Sequence, residues 1–256
     1  DLRLEMSNPH IDFYGGSLSA DELHLIPKAT TGPALISVLN LKAQVNYHDL
    51  FNSNLVNSSL SATELLVYVS KQDEATDPSP ISWLAYLRWL PRALRIEQMH
   101  VISAAADTLV LPLKHLYGDR LGGGHYRATA NIDYEGEPVG AVLDVYALIR
   151  EFGVRGANLK LALDAPLSAS QITLEGLLEA DAADFHYDFK LDGEHRDLEE
   201  FAAGLPGMAG LAGAMRVNGR MVGDGKGFIL SDAHFSIDNK PGYQFESTGT
   251  LNYNLA

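Results

Sequence analysis

The sequence predicts a mainly β protein built of antiparallel strands, and three observations support that class. Apolar and polar residues alternate along most of the chain, most clearly in residues 184–192 (Asp-Phe-His-Tyr-Asp-Phe-Lys-Leu-Asp). Successive side chains of a strand point to opposite faces of the sheet, so such a strand has one apolar and one polar face. From about residue 124 onward, strands of about 8–14 residues are joined by short turns, which favours antiparallel neighbours. No strand alternates regularly with a long helix, which argues against a doubly wound α/β fold.

The N-terminal part is predicted to hold strands followed by a loop and a helix. Residues 1–70 are interpreted as strands, because short alternating runs are separated there by turn residues. Residues 71–91 begin with a polar, proline-containing stretch that is typical of an exposed loop. A short helix is predicted over 82–90, with Ser82 as its N-cap and Pro91 as its stop.

Residues 92–256 are predicted to form antiparallel strands, with a second short helix near 197–205 on the evidence of an amphipathic pattern. The run 94–101 is less cleanly two-faced than the other strands, because apolar residues occur on both of its parities. The glycine-rich segment 118–124 is interpreted as a turn. Together with the N-terminal strands, these pieces predict a single elongated domain over residues 1–256.

Composition and charge exclude several functional classes. The 256 residues carry a formal net charge of −14, which argues against binding to nucleic acid and against charge-driven docking on anionic lipid. The chain has no cysteine, so disulfides, thiolate metal sites and a cysteine nucleophile are excluded. Apolar residues make up 46% of the sequence, which is typical of a folded protein. No run of about 18 apolar residues occurs, so no transmembrane helix is predicted.

No group of residues predicts catalysis or a cofactor. The glycine-rich segment 219–227 contains Lys226 but lacks the Ser or Thr that follows the lysine of a phosphate-binding loop, so a hairpin turn is predicted. The histidines show no spacing typical of zinc ligands, and the aspartates near His186 lack the glycine-containing loop of a calcium site. No Gly-x-Ser-x-Gly motif occurs. We therefore predict no enzyme activity, no catalytic residue, no metal site and no cofactor.

The apolar faces of the strands must be shielded from water, and the sequence leaves two alternatives for what shields them. Burying Phe185, Tyr187, Phe189 or Leu191 stabilises by about 1.5–3 kcal/mol each. One alternative is the closed core of a β-sandwich or barrel, which the pattern alone favours. The other is a groove that holds acyl chains, since about sixteen methylenes removed from water are worth roughly 12 kcal/mol. Only two predicted helices are available to cover the sheet, which favours an open face.

Several segments in order carry a resemblance to a known family, and they span nearly the whole chain. They are residues 18–25 (Leu-Ser-Ala-Asp-Glu-Leu-His-Leu), 48–51 (His-Asp-Leu-Phe), 66–69 (Leu-Val-Tyr-Val), a Trp-bearing helix before 94–101, the pair 198–204 and 213–219, and the closing strand 245–253 with Gly249 inside. In this order the pieces resemble the AsmA-like family of bacterial envelope proteins, relatives of the TamB type.

The resemblance implies a fold in which an elongated, curved antiparallel β-sheet forms a groove, with two short helices. It also implies a periplasmic body tethered to the bacterial inner membrane by an N-terminal anchor, which this chain does not show. The apolar residues expected to line the groove and bind lipid are Tyr126, Ile132, Leu143, Leu159, Leu161, Leu163, Leu174, Phe185, Tyr187, Phe189, Leu191, Phe235, Tyr243, Phe245 and Leu251.

On this resemblance the chain is expected to be a non-enzymatic lipid-binding and lipid-transfer segment that supports outer-membrane lipid homeostasis. Its partner would be phospholipid or another acyl-chain lipid, with envelope proteins as further partners. The alternative is an interaction scaffold that assists outer-membrane protein assembly or secretion by strand pairing at its sheet edges.

Overall fold

A computed structural model gives the architecture of the chain. It describes residues 2–27, 35–46, 48, 51, 55–69, 90–103, 108–134, 136–150, 153–180, 185–196, 213–224, 227–239 and 243–254. Fifteen strands cover most of these residues and confirm the predicted fold class, a mainly β chain built as antiparallel sheet. The predicted helix at 197–205 lies outside the described residues, and so does the helix at 82–90 apart from Leu90.

The chain divides into two compact units. Unit 1 comprises Asp1–Pro78 and Ala85–Asp133, and unit 2 comprises Ser79–Leu84 and Tyr134–Ala256. The first eight strands are β1 (Leu2–Ser7), β2 (His10–Asp12), β3 (Ser17–Pro27), β4 (Ile36–Gln44), β5 (Ser59–Val69), β6 (Ala93–Ser103), β7 (Thr108–Gly122) and β8 (His125–Tyr134). The strands of unit 2 are β9 (Glu137–Arg150), β10 (Gly153–Ala165), β11 (Ser170–Ala180), β12 (Phe185–His195), β13 (Gly213–Asp224), β14 (Gly227–Asn239) and β15 (Tyr243–Asn254). The single domain over residues 1–256 stays a prediction.

In unit 1 the strands are hydrogen-bonded in the order β1-β3-β4-β5-β6-β7-β8, and β2 pairs with β3. Among the described pairs, only β5 and β6 run parallel, with Ser59 opposite Ala93 and Val69 opposite Ser103. Parallel neighbours need a long crossover connection, and residues 70–92 between these two strands provide it. No pattern in the sequence predicted this parallel pair.

In several strands of unit 1, the apolar side chains switch from even-numbered to odd-numbered residues, or the reverse, at one point. These points lie on one line that crosses the strands. In β6 the apolar residues Ile96 and Met99 are three positions apart instead of the regular two, and the ladder with β7 omits a pair at this point. Asn40 and His115 lie on the same line with left-handed φ angles of 51° and 53°, which interrupt the regular pleat. The mixed parity of residues 94–101 follows from this interruption. Among the described residues of unit 1, the buried apolar side chains are Ala20, Leu41, Ala62, Ile96 and Tyr126, and the first four lie beside this line.

Tyr126 is buried with a hydroxyl group that has no hydrogen-bond partner among the described residues. Its ring lies against Gly118, where an added Cβ atom would meet the hydroxyl oxygen at 2.1 Å. Burial raises the pKa of Tyr126 to about 12, and the negative charge of Asp119 acts in the same direction. The glycine therefore makes room for the ring but offers the phenol no acceptor.

We expect Tyr126→Phe to leave the protein as stable as before or to stabilise it by about 1 kcal/mol, because an unpaired buried hydroxyl costs about 1–3 kcal/mol. Urea unfolding at neutral pH measures the difference, with the fully exposed Tyr14→Phe as the control that should change nothing. A destabilisation of more than about 1 kcal/mol would mean that the hydroxyl makes a bond that matters.

The same substitution changes the response to alkali. The raised pKa of Tyr126 means that ionisation favours the unfolded chain, so its contribution to stability is complete below pH 10 and is lost as the pH rises from the ordinary value of 10.0 to about 12. We therefore expect wild type to lose more stability over this range than Tyr126→Phe.

In unit 2 the strands follow chain order from β9 to β15, and every described pair is antiparallel. No described residue of β15 pairs with β9, so the sheet of this unit is open rather than closed into a barrel. The register shifts at Val154/Gly156, Asn218/Arg220 and Leu230/Ala233. The last of these irregularities coincides with Asp232, which has a left-handed φ of 49°.

Candidate functional site

One face of unit 2 is apolar across all of its strands. Residues directly opposite one another in a ladder lie on the same face of the sheet. One row of directly paired residues, from β9 to β15, consists of Val145, Leu159, Gly176, Phe189, Met221, Leu230 and Leu251. We call it the apolar row. It contains no polar or charged residue, and at about 4.8 Å between neighbouring strands it extends over about 29 Å.

Parallel rows on both sides widen the apolar row into a face. On one side the register places Leu143, Leu161, Leu174, Leu191 and Gly219 together, and next to them Leu163, Ile172, Val217 and Phe235. On the other side it places Leu178, Tyr187, Gly223 and Phe228. We call these rows together the apolar face.

The apolar face is only partly covered. Val145 in β9 is buried, whereas Ile172 is 42% exposed and Leu251 is 54% exposed. The other described large side chains of the face are half-buried. Removing such accessible apolar surface from water is favourable, so a contiguous patch of it is a candidate binding site.

Glycines on the apolar face stand opposite its largest side chains. Gly176 pairs with Phe189, and Gly223 pairs with Tyr187. A Cβ atom at Gly176 would lie 2.0 Å from the backbone oxygen of Asp188, and one at Gly223 would lie 2.5 Å from the Tyr187 hydroxyl. The β12 backbone therefore lies close to Gly176 and the Tyr187 ring lies close to Gly223, and neither glycine has room for a side chain.

Tyr187 and Phe189 form a stacked pair at the centre of the face. Their ring centroids are 5.6 Å apart and their planes are inclined by 20°. The Tyr187 hydroxyl donates a hydrogen bond of 3.2 Å to the carbonyl oxygen of Gly227. Partial burial raises the pKa of Tyr187, and the nearby negative charge of Asp224 adds to the shift. The pair thus has one fixed orientation and keeps its polar atom at the margin of the face.

The opposite face of unit 2 is polar and carries ion pairs between strands. Arg220 of β13 donates hydrogen bonds to the Asp188 carboxylate from two of its three guanidinium nitrogens, from Nε to Oδ1 at 2.8 Å and from Nη2 to Oδ2. This hydrogen bonding lowers the pKa of Asp188. Lys160 and Glu175 form a second cross-strand pair at 3.1 Å. The two faces of the sheet therefore differ in chemistry, as the alternating pattern predicted.

The register brings most of the predicted groove residues together. Those whose side chains lie on the apolar face are Leu143, Leu159, Leu161, Leu163, Leu174, Tyr187, Phe189, Leu191, Phe235 and Leu251. Phe185, Tyr243 and Phe245 occupy register positions of the same face. Tyr126 and Ile132 lie in unit 1, where Tyr126 is buried and Ile132 is half-buried opposite Leu113.

Sequence reasoning missed part of the face. Val145, Met221 and Leu230 belong to the apolar row but were not predicted to bind lipid. Val145 follows the same alternation as Leu143 and could have been predicted from the pattern. Met221 has the same parity as Val217 and could also have been predicted from the pattern. Leu230 was hidden by the register shift between Leu230 and Ala233, because this shift changes which parity of β14 faces the apolar side.

The described residues hold no cluster that suits a metal ion. No three of their His, Asp and Glu side chains converge on one point. Asp188, one of the aspartates considered for calcium, is instead engaged by Arg220. Among the helices of the part of the chain that the structure describes, none has the length and apolar character needed to span a bilayer.

Comparison of the chain with protein-family models, with curated protein sequences and with solved structures gave no significant match. The resemblance to the AsmA-like family therefore stays a prediction that rests on the order of the sequence segments.

Proposed function

We propose that the apolar face of unit 2 binds the acyl chains of phospholipid or of another acyl-chain lipid. One observation carries the proposal: the apolar row crosses the unit without a charged residue, and its side chains are only partly covered. An acyl chain of about sixteen methylenes gains roughly 12 kcal/mol on leaving water, which exceeds the cost of ordering it. The row offers such a chain about 29 Å of apolar contact, from a strand spacing of about 4.8 Å.

The mechanism is passive. Hydrophobic and dispersion contacts have no preferred direction, so a chain that moves along the row exchanges each contact for a similar one. The polar head group stays in water at the margin of the sheet, because its burial without hydrogen-bond partners is unfavourable. Direction is then set by the lipid gradient between donor and acceptor membranes, and the protein needs no catalytic residue.

The cellular setting follows from the resemblance to the AsmA-like family. In that setting the chain is a periplasmic segment of an envelope protein tethered to the inner membrane, and it supports outer-membrane lipid homeostasis. Envelope proteins would be its further partners. These assignments belong to the proposal and are tested separately from lipid binding.

Native mass spectrometry of the purified protein tests the lipid proposal. We expect co-purifying phospholipid, or, after delipidation, uptake of added dioleoyl-phosphatidylethanolamine as a discrete mass increment. Fluorescently labelled lipid supplied in the same buffer gives an independent measure of uptake. A clean protein mass together with no uptake of labelled lipid would rule the proposal out.

An interaction scaffold is the second candidate, and one observation favours it. Among the described residues, β15 pairs only with β14, and Glu246, Thr248 and Thr250 in it are exposed. The strand contains no lysine and no proline, two of the residues that commonly protect an edge from further pairing. Capture of an envelope protein that is lost when Thr248 is replaced by proline, with lipid uptake unchanged, would favour the scaffold.

A further inference from the structure

Three aromatic side chains of unit 1 are almost entirely exposed. Phe13 is 73% exposed and Tyr14 is fully exposed in the turn between β2 and β3, and Phe51 is 89% exposed in the connection between β4 and β5. Exposing large apolar side chains to water is unfavourable, so three exposed aromatic side chains together indicate a binding surface.

The three residues lie at the same end of the sheet. Ser17, the first residue of β3, pairs with Gln44, the last residue of β4. Gln44 in turn pairs with Ser59, the first residue of β5. The β2–β3 turn and the β4–β5 connection therefore leave the sheet at one end. We call Phe13, Tyr14 and Phe51 the aromatic end of unit 1.

The turn that carries Phe13 and Tyr14 is held firmly. The Asp12 carboxylate accepts hydrogen bonds from the backbone N–H groups of Tyr14 and Gly15, at 2.9 and 3.0 Å. These bonds lower the pKa of Asp12. The N–H group of Val45 donates to the carbonyl oxygen of Gly16 at 2.7 Å and joins the turn to the chain that follows β4. Because the backbone is already ordered, docking of the two rings loses little conformational entropy.

We propose that the aromatic end docks on the interfacial region of a zwitterionic lipid bilayer. Phenyl and phenol rings partition favourably into the boundary between head groups and acyl chains. Residues 8–16 and 44–51 contain no lysine or arginine and include Asp12 and Asp49, so anionic head groups would gain nothing there. In a protein–protein interface, aromatic anchor residues are commonly surrounded by a ring of further contacts. Aromatic residues at turn tips can enter a bilayer without such a ring.

The aromatic end shares no residue with the apolar face of unit 2, so the two proposals are tested separately. Sedimentation with phosphatidylcholine vesicles measures docking. The triple variant Phe13→Ser, Tyr14→Ser, Phe51→Ser should bind these vesicles at least about tenfold more weakly, because three rings no longer leave water. The same variant should still take up phospholipid from detergent micelles, as judged by native mass spectrometry. Tyr14→Ser alone should weaken vesicle binding to a smaller extent.

Leu167→Ser is the matched control. Leu167 lies in the turn between β10 and β11 and is 73% exposed, which equals the exposure of Phe13. We expect its vesicle binding to match wild type. Unchanged vesicle binding by the triple variant, or equal loss in Leu167→Ser, would overturn the proposal. So would a wild-type dimer in sedimentation velocity that the triple variant abolishes, because the aromatic end would then cover a second copy of the chain.

Discussion

Phe189→Asp is expected to abolish lipid uptake. Phe189 is the middle residue of the apolar row and one half of the stacked pair with Tyr187. An aspartate at this position would have to lose its hydration when an acyl chain covered it, and burial of an unpaired charge costs several kcal/mol. Burying the methylene groups of an acyl chain along the central part of the row gains about the same free energy, so the cost of the charge cancels this gain. Native mass spectrometry and uptake of labelled phospholipid measure the result.

Val222→Asp is the control for this experiment. Val222 neighbours Met221 in β13 but lies on the polar face, where its side chain is 40% exposed. Both variants introduce the same charge on neighbouring strands, one on each face of the sheet, so Val222→Asp should take up lipid as wild type does.

Leu251→Asp provides a second test with little risk to folding, since Leu251 is the most exposed member of the row. Circular dichroism and urea unfolding establish that each variant is folded. Normal lipid uptake by folded Phe189→Asp and folded Leu251→Asp would show that the apolar face is not the lipid site.

Gly176→Ala is expected to destabilise unit 2 by about 1–3 kcal/mol, although it adds only one methyl group. The new Cβ atom would lie 2.0 Å from the backbone oxygen of Asp188 and 2.8 Å from the Cα atom of Phe189. Both contacts are with backbone, so no side chain can move away to relieve them. Strands β11 and β12 must separate locally, and their ladder hydrogen bonds weaken. The free energy of unfolding in urea measures the effect.

Gly249→Ala is the matched control on the same sheet. A Cβ atom at Gly249 meets nothing within 4 Å. Alanine there restricts the unfolded chain without straining the folded one, so we expect no loss and up to about 1 kcal/mol of gain in stability. Equal effects of the two substitutions would contradict the close approach of the β11 and β12 backbones at Gly176.

The fold class and most of the apolar face followed from the sequence because side-chain direction in a strand has a period of two. Leu161, Leu174 and Leu191 are far apart in the chain, yet their parity alone placed them on one face, and the register joins them in a single row. A local rule was sufficient here, since antiparallel hairpins keep the apolar side of each strand in step with the next.

The rule failed where the backbone leaves the regular pleat. Asn40, His115 and Asp232 adopt left-handed conformations that no hydrophobic pattern signals. At those places the apolar parity or the register changes, which concealed Leu230 from the prediction. The parallel β5–β6 pair was also hidden, because partner choice after a long connection depends on contacts between distant parts of the chain.

The strictly sequential pairing of unit 2 makes its stability local. Each strand from β10 to β14 bonds to the strands just before and after it in the chain, so contact order within each hairpin is low and the free energy of the unit is close to a sum over neighbouring pairs. A substitution that destabilises one hairpin then destabilises chiefly the two strands next to it. Such a sheet can gain or lose a hairpin by gene duplication or deletion without a new core, and each added pair of strands lengthens the apolar row by about 10 Å, twice the spacing between strands. The length of acyl chain that the proposed site would hold is thus an evolvable quantity, counted in hairpins.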